Sequence, residues 1–129
     1  LAEQLGQKVL VFEDLKERIF TRENKRISDK DLYPLLYKSF YNPNFTFPGG
    51  ESNADCQTRS IKILKEILNT YRGQKVVVGT HGAVMTLMMN YYDRIYDLEF
   101  LLHTSKPDIY RMEFDGEEFV GANRLWEFT

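Results

Sequence analysis

The chain has 129 residues, 43% of them apolar and 28% charged, with seventeen Lys/Arg against nineteen Asp/Glu for a formal charge of −2. That length fits one domain burying roughly two-thirds of its unfolded surface, and nine Phe, eight Tyr and one Trp supply core material, which excludes a disordered chain. The near-neutral balance argues against gripping nucleic acid through the overall field and leaves only a local patch for it. The single cysteine, Cys56, excludes an internal disulfide, and no apolar run reaches the roughly 18 to 20 residues of a membrane span. The opening residues do not read as a secretory signal. These features predict one cytoplasmic domain over residues 1–129, with neither nucleic acid nor membrane as partner.

In chain order, Leu1-Ala2-Glu3-Gln4-Leu5-Gly6 reads as the last turn of an amphipathic helix stopped by a glycine. A helix needs a cap and two or three turns, so this opening reads either as the remainder of a helix begun ahead of Leu1 or as a chain trimmed to its ordered part or left by removal of a tag. Lys8-Val9-Leu10-Val11-Phe12 follows as a strand. Residues 13–30 are charged and lack apolar periodicity, which predicts a loop or irregular helix. Ser28-Asp29-Lys30-Asp31 can cap a helix carrying Leu32, Leu35, Leu36 and Phe40, with Pro34 tolerated if it falls in the first turn. Asn42-Pro43-Asn44 ends it, and Pro48-Gly49-Gly50 closes the next loop.

Ser52 then caps a second helix, and Asp55 can complete a capping box facing the positive helix end. Ile61, Leu64, Leu68 and Tyr71 recur at helical spacing, Ile63 and Ile67 widen the stripe, and Gly73 stands at the C-terminal cap. Lys75-Val76-Val77-Val78-Gly79-Thr80 is too apolar to have one wet face, which predicts a central strand buried on both sides. His81-Gly82 leads into a helix over residues 83–92, whose Met85, Leu87, Met88 and Met89 read as core. Two period-two stretches, residues 108–114 and 119–128, flank Asp115-Gly116 as a hairpin. The order predicts an α/β domain: a mostly parallel sheet flanked by helices, with a C-terminal antiparallel hairpin.

Chemistry concentrates at strand-Thr80-His81-Gly82-Ala83-helix. This pattern sets an imidazole at the carboxyl end of a strand, the edge where open α/β sheets bind ligands. The helix N-terminus adds unbonded amides and partial positive charge, Gly82 permits a sharp turn, and a protonated His81 can donate to a phosphate oxygen. The competing reading is a histidine that merely caps the following helix or satisfies a backbone carbonyl. Gly50-Glu51-Ser52 can bring a carboxylate and a hydroxyl to the same edge, although an ordinary helix start explains these residues too. The stretch Asp14-Leu15-Lys16-Glu17-Arg18 offers a carboxylate for acid–base work or a solvated charged face. His81, His103 and Cys56 are too scattered for a zinc site, so no metal is expected. Cys56 reads as a buried, inert thiol, and His103 as a loop or supporting residue.

In this order, Asp14-Leu15-Lys16-Glu17-Arg18, Gly50-Glu51-Ser52 with Asp55 and Arg59, and Thr80-His81-Gly82 resemble the histidine phosphatase superfamily, also called phosphoglycerate-mutase-like. The resemblance covers essentially the whole chain as the C-terminal two-thirds of the family's domain. It implies a phosphohistidine mechanism with no cofactor, acting on a small phosphorylated substrate or inorganic phosphate. His81 matches the family's second histidine and Glu17 its acid, while Arg18, Glu51, Ser52, Gly82 and Ala83 match substrate-binding positions. The sequence contains no Arg-His-Gly, the motif that carries the family's nucleophile. By this resemblance the nucleophile and the first core strand would lie ahead of Leu1, leaving a gap beside Val76–Thr80.

Thr21-Arg22 and Ala83 depart from the mutase pattern, towards a phosphatase. The expected activity of the parent family is phosphomonoester hydrolysis, with the chain alone inactive. The alternatives are a non-catalytic phosphate-binding or assembly module, or mutase-type transfer. An unfilled gap in a sheet also points to a partner strand, hence a homodimer. The aromatics Tyr37, Tyr41, Phe45 and Phe47 offer an apolar lid or core beneath a loop.

Overall fold

The computed structural model describes residues 4–19, 29–46 and 49–126. The expectations for Leu1–Glu3, Thr21-Arg22, the Ser28 cap, Phe47, Pro48 and the end of the second hairpin strand fall outside these residues.

A 3₁₀ turn at Glu13–Leu15 is followed by helices α1 (Asp29–Tyr41), α2 (Asn53–Thr70), α3 (Gly82–Tyr92) and α4 (Leu98–Leu102). Strands β1 (Tyr110–Asp115) and β2 (Glu118–Arg124) complete the order. The capping box is formed as the sequence predicts: the Asp55 amide donates to Ser52 Oγ at 3.0 Å, and the Ser52 amide faces Asp55 Oδ2 at 3.5 Å. Gly73 adopts φ +75° just past α2, a left-handed backbone that would strain a side chain. Pro34 is the sixth residue of α1 rather than part of its first turn, so α1 forgoes the bond an amide there would make to Lys30.

Helices α2 and α3 pack together to make the core. Cys56, Ile61 and Leu64 from α2 meet Val84, Leu87 and Met88 from α3, with Leu15, Phe40, Leu68, Tyr92 and Phe114 closing its margins. The stripe read from the sequence is the buried one: Ile61, Ile63, Leu64 and Ile67 are buried, and Met89 is completely enclosed. The short helix α4 was not legible from periodicity, because five residues hold barely more than one turn. It is capped by Asp97, whose side chain accepts from the Phe100 amide at 3.1 Å.

The C-terminal hairpin forms with Gly116 at φ +63°. Its antiparallel ladder runs from Tyr110 opposite Arg124 to Asp115 opposite Glu118, and it is offset by an irregularity after Glu113. Tyr110, Met112 and Phe114 face inward in alternation. Phe114 meets Tyr92 edge-on at 5.0 Å between ring centroids and Phe119 stacks on it at 5.5 Å, which fastens the hairpin to α3.

The sheet differs from expectation. Among the described residues it contains β1 and β2 alone, both antiparallel, and no mostly parallel sheet is present. Residues 8–12 and 75–80 belong to no ladder, and Val76, Val77 and Val78 are exposed rather than buried on both faces, Val77 at 77%. The physical reason is the lack of neighbours. A strand becomes central only when chains flank it, and no described backbone bonds to residues 76–78. Val9, Leu10 and Val11 are open in the same way. No described helix is long and apolar enough to cross a membrane.

Candidate functional site

The site is built where the 3₁₀ turn, the start of α2 and the start of α3 meet. His81 is the residue before α3, with extended backbone (φ −116°, ψ 160°), and its carbonyl accepts the Met85 amide at 2.8 Å. Its ring makes no capping hydrogen bond, so the helix-cap reading does not apply. The side chain is 54% exposed, and Nδ1 lies 3.9 Å from Glu17 Oε2, itself 48% exposed. That separation is ion-pair range, longer than a hydrogen bond. The structure thus brings together the two residues read as catalytic, 64 positions apart in sequence, with both side chains at the surface. Glu17 Oε1 accepts its neighbour's amide, Arg18 N–H, at 2.9 Å, which fixes one face of the carboxylate and leaves the other towards His81.

The N-terminus of α3 supplies the second ingredient. Its first amides, from Gly82 onward, precede the Met85 amide that closes the first helical bond, and no acidic side chain occupies the first turn. Unbonded N–H groups and the helix dipole there favour an anion. Gly82 does not make the sharp turn expected of it. It is an ordinary helical residue, and a Cβ added there would meet Leu101 Cδ1 at 3.5 Å, a normal contact. Ala83 is buried behind it.

The other predicted site residues are committed inside the protein. Glu51 is 15% exposed in its side chain, and both oxygens are taken. Arg59 Nη2 donates to Oε1 at 2.6 Å, Arg59 Nε to Oε2 at 3.0 Å, and the Ile19 amide to Oε1 at 2.9 Å. Burial alone would raise the Glu51 carboxyl, but these bonds outweigh it and hold the group below the usual carboxylate range. The fork bond to Glu51 conversely raises the Arg59 guanidinium. The Ser52 hydroxyl is spent on the α2 cap. Arg18 is buried, with Nη2 donating to Ser39 Oγ of α1 at 3.0 Å, and desolvation lowers its guanidinium from the ordinary value. In this arrangement Glu51, Ser52 and Arg18 are spent on bonds within the protein.

Arg59 and Thr80 are the residues whose roles sequence reasoning missed. Arg59 Nη1 donates to the Asp14 carbonyl at 2.6 Å and Nη2 to the Glu17 carbonyl at 3.2 Å, so one guanidinium joins α2 to both ends of the segment carrying the acid. Glu51 stands just ahead of the α2 cap and Arg59 two turns into the helix, a spacing that does not by itself announce the pair. The Thr80 hydroxyl donates to the Leu15 carbonyl at 2.8 Å.

Elsewhere, Cys56 is fully enclosed and burial pushes its thiol up to about 12, which makes it inert. His103 ends α4, with Nδ1 2.7 Å from the Glu99 carbonyl. A shallow hollow of about 510 Å³ lies between the C-terminal half of α2 and the hairpin turn. Its lining, Lys65, Glu66, Asn69, Arg72 and Glu117, shares no residue with the His81 edge. No cluster of three or more His, Cys, Asp or Glu side chains suited to a metal occurs among the described residues.

A family model, the histidine phosphatase superfamily (branch 1), matches residues 1–124. No curated protein and no solved structure matches the chain.

Proposed function

Because the chain belongs to the histidine phosphatase superfamily (branch 1), we propose that it carries the second-histidine and acid half of a phosphomonoesterase site. His81 holds the transferring phosphoryl group, and Glu17 exchanges the proton of the leaving oxygen. The observation that carries this reading is the Glu17–His81 approach of 3.9 Å at an exposed helix N-terminus. The substrate is a small phosphorylated molecule or inorganic phosphate, held with no cofactor.

The chemistry follows from charge. In phosphoryl transfer the equatorial oxygens carry negative charge throughout, and catalysis consists mainly of fixed positive partners placed around them. A protonated His81 and the first amides of α3, which it directly precedes, are such partners. Glu17, when protonated, gives its proton to the departing alkoxide and later takes one from the attacking water. The attacking imidazole of the family's Arg-His-Gly motif has no counterpart in the sequence. The 129 residues by themselves are therefore expected to show no turnover and to form no acid-labile phosphohistidine. Thr21-Arg22 and Ala83, which depart from the mutase pattern, favour hydrolysis over mutase-type transfer.

A second reading, a non-catalytic assembly module, has one observation in its favour. The open segments Val76–Val78 and Val9–Val11, in no ladder among the described residues, are suited to take a strand from a second copy. One titration separates the two. Inorganic phosphate or vanadate should raise the melting temperature in proportion to the logarithm of its concentration above Kd, and His81→Ala should abolish the rise. A melting temperature indifferent to both anions, together with a concentration-dependent dimer, would favour the assembly module.

A further inference from the structure

The segment that carries Glu17 is held from two directions. Arg59 reaches it from α2 and bonds the carbonyls of Asp14 and Glu17. On the other side the Thr80 hydroxyl donates to the carbonyl of Leu15, the residue between them in the 3₁₀ turn, across 65 positions of sequence. Thr80 directly precedes His81, so this bond joins the element bearing the acid to the element bearing the imidazole. Its importance comes from what is missing nearby. Val76, Val77 and Val78 make no backbone hydrogen bond to the described residues and are open to solvent, so no ladder fixes the approach of this segment to the turn. A further polar contact between the two is the 3.9 Å Glu17–His81 approach itself.

We propose that Thr80 is a positioning residue: its hydroxyl, bonded to the Leu15 carbonyl, sets the spacing between Glu17 and His81. Its consequence for catalysis rests on the phosphoryl-transfer reading above, while the geometric claim stands without it. Proton transfer requires the partners at hydrogen-bond reach or one water apart, and a misplacement of about 1 Å can lower a rate by roughly a hundredfold. A single side-chain bond next to the imidazole is placed to prevent that misplacement. Arg59 ties Glu17 to α2, and so reaches His81 only through the packing of α2 on α3, whereas the Thr80 bond acts one residue from the imidazole.

The test uses the 129-residue chain and reads the ring signals of His81 by NMR at fixed pH. Glu17→Gln moves these signals in the unaltered chain and calibrates the influence of the carboxylate. Thr80→Val keeps the branched shape and removes the donor, whereas Thr80→Ser keeps the donor. If Thr80 acts through Glu17, the response of His81 to Glu17→Gln should fall to about one third or less in the Thr80→Val background, and Thr80→Ser should keep most of it. A Thr80→Val chain whose His81 signals stay in place and respond fully to Glu17→Gln overturns the proposal. Should Thr80→Val not fold, the unaltered chain decides: nuclear Overhauser contacts between the Thr80 methyl and the Leu15–Lys16 backbone are expected, and their absence is equally fatal.

The two readings fail separately. Inorganic phosphate that leaves His81 unmoved removes the phosphoryl reading without touching the Thr80 result. A full response in Thr80→Val removes the positioning role without touching the phosphate result.

Discussion

Replacing Arg59 by Ala should destabilise the protein by about 2–3 kcal/mol, a figure set between two limits. Exposed ion pairs contribute about 0–1 kcal/mol, and removing one partner of a fully buried pair costs about 3–5 kcal/mol. The Arg59 and Glu51 side chains, at 14% and 15% exposed, lie nearer the buried limit, and the contact is a two-pronged fork rather than a point charge. Arg59→Ala also leaves the carbonyls of Asp14 and Glu17 without their donor. For a domain of this size the loss lowers the melting temperature by roughly 6–15 °C. Arg59→Lys restores charge but not the fork and should recover less than half of the loss.

The effect should also depend on pH, in a definite direction. Glu51 in the folded chain lies below its unfolded value, so the stability it contributes is present above the unfolded carboxyl pKa of about 4.3. That stability is lost as pH falls through the lowered folded value. The coupling between Arg59→Ala and Glu51→Ala, measured by urea unfolding of the four chains in a double-mutant cycle, should therefore be constant near neutrality and shrink in acid. A coupling below about 0.5 kcal/mol at pH 7 would refute the claim that this pair fastens the acid-bearing segment to α2.

Two further outcomes follow from burial. Cys56 should stay unreactive towards a disulfide reagent in the native chain and react at once in denaturant, since it is enclosed and its thiol is pushed up to about 12; rapid native labelling would show that the start of α2 opens readily. Met89→Ala should cost about 2–5 kcal/mol by urea unfolding, because the side chain is completely enclosed on α3 and its removal leaves a cavity; a loss under about 1 kcal/mol would mean that the α2–α3 core collapses around the gap.

The parts of this structure legible in the sequence are those whose cause is local. The Ser52–Asp55 cap, the α2 stripe, the Gly73 stop and the turn at Gly116 each depend on residues within a few positions of one another. The Glu17–His81 approach is not local. It was legible only because Thr80-His81-Gly82 and the stretch around Glu17 resemble a known family in order and spacing. Residues 8–12 and 75–80 were misread for a physical reason: β-branched composition states what a segment would do beside neighbours, and it cannot supply them. The task of Arg59 stayed hidden because an arginine among the polar residues of a helix looks like part of a solvated face. Its fork partner and the carbonyls it bonds become visible only in three dimensions.

The central claim is that the His81 edge binds an oxyanion, and amide chemical-shift mapping during a phosphate titration tests it most directly. Saturable movement is expected, confined to His81, Gly82, Ala83 and the neighbourhood of Glu17. Movement confined instead to Lys65, Asn69 and Arg72 around the other hollow, or no saturable movement anywhere, would contradict it.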